Sequence, residues 1–131
     1  MLILRNLLFY AAFYLGSPLY VLLAAAQYAL GLHDAFRSTV EAWSRFHRAC
    51  ARNLLGIKLV VEGQMPTGPV LIAMKHQSFY EAIEMPGFFD RPAVFAKAEL
   101  TRIPVWGKVG QRYGLIGVHR DQGASALRKM L

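Results

Sequence analysis

The sequence predicts an α/β fold, a mixed sheet flanked by helices, preceded by an N-terminal membrane helix or helical hairpin. Three observations predict it. Asp, Glu, Lys and Arg are absent from Asn6 through Leu32, which is an apolar stretch. Short segments of strand character follow Gly56. Helical patterns alternate with those segments, as in layered α/β architectures. The organisation expected is a membrane-associated helical segment over residues 1–36 and one small domain over residues 37–131.

Hydrophobic residues make up 55% of the 131, above the usual soluble share of about 45–50%. The segment 7–32 reaches the roughly 20 apolar residues that a bilayer span needs. Gly16-Ser17-Pro18 interrupts it, and proline removes one backbone donor and disfavours helix just before it. One reading is a single tilted, kinked transmembrane helix. The other is a pair of short helices that enter the membrane and return. A cleaved signal peptide fits less well, because the apolar run exceeds the usual 7–15 residues of a signal core.

Ser38 and Glu41 have capping-box spacing and predict a helix running to Gly56, a natural stop. Val40, Trp43, Phe46, Cys50 and Leu54 lie along one broad side of it. Arg45, Arg48 and Arg52 step along another, a solvated face that would also attract anionic lipid headgroups. Strands are predicted at Ile57–Glu62, Pro69–Met74, Ala93–Ala96 and Leu115–Val118, with a turn over Gly63–Gly68. Ser78–Phe89 reads as a helix. A last helix begins at Gly123 and is cut off as it starts, so the chain is expected to be incomplete at its C-terminus.

The formal net charge is +7, and only Arg5 precedes the apolar stretch. That excess suits a partner with phosphates: nucleic acid, an anionic membrane surface or a phosphorylated small molecule. Nucleic acid would explain neither the apolar N-terminus nor the histidine block below, and is not expected. Cys50 is the single cysteine, which excludes an internal disulfide. No zinc-type Cys/His spacing is present.

The residues with chemistry are in Lys75-His76-Gln77-Ser78-Phe79-Tyr80-Glu81. The strand before it would deliver Lys75 and His76 to its C-terminal edge, where ligands bind in open α/β sheets. His76 and Glu81 can meet only if the chain turns between them, which the helix start at Ser78 allows. A neutral imidazole beside a carboxylate is a general base suited to deprotonating a hydroxyl. Ser78-Phe79-Tyr80-Glu81 is equally a capping box, in which Glu81 simply caps the helix.

The run Lys75–Glu81 resembles the first motif of the glycerolipid acyltransferases, a histidine and an acidic residue separated by four others. The acidic residue is usually aspartate and here is Glu81. A second stretch is similar to the family's next block: Lys97-Ala98-Glu99-Leu100, Ile103-Pro104, Trp106-Gly107 and Gly114-Leu115-Ile116-Gly117-Val118-His119-Arg120. The resemblance covers roughly Leu54–Arg120. It implies that residues 37–131 are a partial acyltransferase domain with catalytic His76 and Glu81. It also implies that Arg120 and Lys97 hold a substrate phosphate, as a guanidinium fork and an ammonium can. The family's third motif, Glu-Gly-Thr-Arg, and a later proline-containing motif have no counterpart in the chain.

The expected reaction is acyl transfer from acyl-CoA or acyl carrier protein to the hydroxyl of 1-acylglycerol 3-phosphate (lysophosphatidic acid), giving phosphatidic acid. No metal or bound cofactor is required. The bilayer is the remaining partner, at the bacterial inner membrane with the catalytic region cytoplasmic, since positive charge follows the apolar segment. Other acceptors, such as glycerol 3-phosphate or another lysolipid, fit the same half-site. So does an inactive, membrane-anchored lipid-binding fragment.

Overall fold

In the computed structural model, which describes residues 2–119, the apolar run forms one continuous helix, α1 (Leu2–Ala29). It passes through Pro18 without breaking. Its 28 residues are long and apolar enough to cross a membrane. The chain therefore does not reverse at Gly16-Ser17-Pro18. It reverses at Leu30–Leu32, where Gly31 takes the left-handed conformation (φ 73°) that a side chain would resist.

Helix α2 (His33–Cys50) returns antiparallel along α1. The pairing runs from Tyr28 against Phe36, through Tyr20 against Phe46, to Arg5 at Leu54. Gly16 admits the Phe46 ring so closely that a Cβ there would lie 2.5 Å from it. Trp43 Nε1 donates to Ser17 Oγ at 2.9 Å across the same seam. Phe36, Val40, Ser44, His47 and Cys50 form the buried face of α2, at helical spacing. Complete burial of a side chain such as Phe36 contributes roughly 1.5–3 kcal/mol.

The start expected at Ser38 is corrected by this geometry. α2 begins five residues earlier with no side-chain cap, and Ser38 and Glu41 lie inside it. Glu41 instead pairs with Arg45 at 3.7 Å. Burying Phe36 against α1 requires helix before Ser38, and the Gly31 turn supplies it. The stop at Gly56 holds: a π-helical turn (Ala51–Leu55) ends there with φ 77°. Arg5 Nε donates to the Leu54 carbonyl at 2.6 Å, satisfying one of the acceptors that a helix end leaves open.

Helix α3 (Phe79–Phe88) packs on α2. Gly87 sits against Ser44, where a Cβ would come within 2.6 Å of Ser44 Oγ. Beyond it, β1 (Val94–Lys97), a 3-10 turn (Ala98–Arg102), α4 (Trp106–Tyr113) and β2 (Leu115–Val118) form a short βαβ unit. The strands are parallel, in register Val94 to Leu115 through Lys97 to Val118. Val109 of α4 enters the core with Ala24, Phe36 and Val40.

The sheet differs from expectation. Among the described residues it has two strands, both parallel, rather than a mixed sheet of four. The segments 57–62 and 69–74 are not strands. A strand needs a ladder partner and a covering layer, and these segments have neither among the described residues. Val60 and Val70 are exposed, and Leu71 is 92% exposed. The expected helix from Gly123 lies outside the described residues.

Candidate active site

Ser78 caps α3 in an extended conformation (φ −149°, ψ 174°). Its Oγ accepts from the Tyr80 N–H at 3.1 Å and donates to Glu81 Oε2 at 3.0 Å. The Ser78 N–H donates to the same carboxylate oxygen at 2.9 Å. The capping box read from the sequence is therefore formed.

His76 lies just before this cap, on an irregular segment rather than at the edge of a strand. Its Nδ1 is 3.7 Å from Glu81 Oε2, ion-pair range but too long for a hydrogen bond. The imidazole is 59% exposed and open to a substrate. One oxygen of Glu81 thus faces both the helix start and His76. The hydrogen bond from its own backbone N–H is the largest cause, and with those from Ser78 and Gln77 it outweighs desolvation and holds the Glu81 carboxyl below the usual carboxylate range. Glu81 is ionised at neutral pH.

A second His–carboxylate pair anchors α3 from beneath. Glu84, one turn after Glu81, is completely buried. Its Oε1 lies 3.2 Å from Nδ1 of His47, also buried, and accepts a hydrogen bond when that nitrogen carries the proton. Arg48 Nε donates to Glu84 Oε2 at 2.6 Å. Arg48 Nη2 is 2.5 Å from the same oxygen but too far off-axis to be hydrogen-bonded. Tyr80 stacks obliquely on His47, with ring centroids 5.1 Å apart. Burial, and then the charge of Glu84, push the Tyr80 phenol up.

No local spacing in the sequence marks His47, Glu84 or Tyr80 for a role, and the arginine spacing places Arg48 on a solvated face, whereas the fold turns it to Glu84. One signal was available. Glu84 is the lone carboxylate in Ala82-Ile83-Glu84-Met85, and a charge buried there needs a partner.

Lys97 ends β1 and is exposed, opposite Val118 in the register. Among the described residues it forms no hydrogen bond or ion pair with His76 or Glu81. Arg120 lies outside the described residues. No group of three or more His, Cys, Asp or Glu suited to a metal ion occurs among the described residues.

No protein-family model matches the chain, and no solved structure matches it. Over 124 residues, 85% of its own length, it is 30% identical to the 1-acyl-sn-glycerol-3-phosphate acyltransferase of Pseudomonas aeruginosa. The chain spans about half (48%) of that relative. Similarity to an acyltransferase along most of the chain supports a transferase role in general.

Proposed function

We propose that the chain belongs to the glycerolipid acyltransferases and transfers a fatty acyl group from a thioester to the hydroxyl of 1-acylglycerol 3-phosphate. The observation that carries this is the exposed His76 imidazole 3.7 Å from an ionised Glu81, held at a capped helix start. The similarity to an acyltransferase supports it.

In this reading His76 takes the acceptor's hydroxyl proton as the oxygen attacks the thioester carbonyl. Glu81 stabilises the imidazolium that forms, and the 3.7 Å separation tightens in the complex. The tetrahedral adduct then expels the thiolate, which takes the proton back from His76. Arg120 and Lys97 hold the acceptor phosphate. Acyl-CoA and acyl carrier protein are both donors of the required chemistry.

The membrane is the source of the acceptor. A spanning α1 would draw Arg37, Glu41, Arg45 and Arg48 of the antiparallel α2 into hydrocarbon, at about 2.5–3.5 kcal/mol for a central charge on insertion scales. The hairpin instead lies along the cytoplasmic surface of the bacterial inner membrane. Exposed Leu4, Leu8, Leu15, Leu19 and Leu22 of α1 enter the lipid.

The test is acyl transfer by the intact protein and its His76→Ala variant, with a panel of hydroxyl acceptors. Loss of about 10²-fold or more in kcat is expected for His76→Ala. Undiminished turnover would remove His76 from the mechanism. Preference for glycerol 3-phosphate or another lysolipid would change the acceptor while keeping the chemistry.

A further inference from the structure

A pocket of about 290 Å³ opens where the end of α1, the start of α2 and α4 meet. Ala25, Ala29, Phe36, Val105 and Val109 give it apolar walls. Its charged members are Lys108 and Arg112, one turn apart on α4, and no carboxylate lines it among the described residues. Neither cation has an ion-pair partner among the described residues.

Arg112 is pre-positioned. Its Nη1 donates to the Tyr28 hydroxyl at 2.8 Å, and its guanidinium lies over the Tyr28 ring, 4.8 Å from the centroid. That leaves its other N–H donors for a second acceptor. Tyr28 lies in the last turn of the apolar helix, so the guanidinium is held at the edge of the apolar surface.

We propose that this pocket binds an anionic phospholipid of the surrounding bilayer. Lys108 and Arg112 take the headgroup phosphate, and the first carbons of the chains lie along Ala25 and Ala29. The combination argues for lipid over a free phosphate. Two cations answer a phosphate, and apolar walls continuous with the exposed face of α1 answer what is attached to it. The volume suits a headgroup and the nearest methylenes, with the rest of the chains left in the membrane. The pocket is separate from the candidate active site. Phe36 and His47 are eleven positions apart on α2, about 16 Å of helical rise.

The experiment compares the intact protein with Lys108→Gln/Arg112→Gln and with Arg37→Gln/Arg45→Gln, which removes the same charge from α2. Flotation is measured with phosphatidylcholine vesicles containing or lacking phosphatidylglycerol, and retained lipid by native mass spectrometry. The pocket variant is expected to lose phosphatidylglycerol-dependent binding and retained lipid at least tenfold, with the α2 variant affected much less. Equal losses in both would reduce the effect to overall charge and overturn the site. Retention of free glycerol 3-phosphate as strong as that of phosphatidylglycerol in the same native mass spectra would overturn the lipid assignment. Acyl transfer in detergent is expected to be unchanged in the pocket variant, so failure of this proposal is distinguishable from failure of the proposed chemistry.

Discussion

Glu84 Oε1 lies 3.2 Å from Nδ1 of His47, and both side chains are shut off from water between α2 and α3. Arg48 completes the cluster. Removing the carboxylate leaves a guanidinium and a buried imidazole with nothing opposite. Glu84→Ala is expected to destabilise the protein by about 3 kcal/mol, read as a lower urea midpoint in detergent. Glu84→Gln, which keeps the shape and one acceptor, should lose less. An unchanged midpoint for both would mean that the cluster does not hold α3.

Glu81 does two things through one oxygen, and Glu81→Gln separates them. Glutamine still caps, so α3 should survive. It cannot stabilise an imidazolium, so kcat should fall roughly 10²-fold. The native cap is also pH-dependent. The folded Glu81 pKa lies below its unfolded value, so its contribution is present above the ordinary carboxylate pKa and is lost as pH falls through the depressed folded value. Unfolding measured across that acid range should be steeper in the native protein than in Glu81→Gln.

Gly107 is where α4 rests on the preceding 3-10 turn. A Cβ there would lie 2.2 Å from the Thr101 carbonyl oxygen, which as backbone cannot swing aside. Gly107→Ala should cost about 1–3 kcal/mol as overpacking, despite alanine's better helix propensity. Thermal unfolding of the variant checks it, and an increase in Tm would contradict the packing.

The hydroxyl of Tyr113 is buried with no hydrogen-bond partner among the described residues. Burial, then the charges of Glu41 and Asp90, push its phenol up to about 12. Tyr113→Phe should therefore be neutral or slightly stabilising at pH 7. Above pH 10 the unfolded chain ionises this phenol while the folded chain does not, so native stability drops between about 10 and 12. The stability gap between Tyr113→Phe and the native protein should widen over that interval.

Local signals in the sequence were read correctly where the physics is local. The uncharged run became α1, Gly56 ended a helix, Ser78 began one, and the short apolar segments near Ala93 and Leu115 became β1 and β2. Packing decided the rest. The start of α2 followed the Gly31 turn and the burial of Phe36 rather than the Ser38–Glu41 spacing. α4 went unread because Gly107 and Gly110 weaken its helical signature, yet they are what let it approach its neighbours. The site divides the same way. His76 and Glu81 share a short motif, whereas Glu84 finds His47 from 37 positions away, and no spacing rule reaches that far.

The bare segments 57–62 and 69–74 also bear on how the protein behaves in a tube. Each has the β-branched, apolar makeup of a strand and no ladder partner among the described residues, so each can accept a strand from another copy. Self-association during purification should begin there. Lys58, Glu62 and Lys75, with Pro69, are the gatekeepers against it, and adding a charge at exposed Leu71 would be the first substitution to raise solubility.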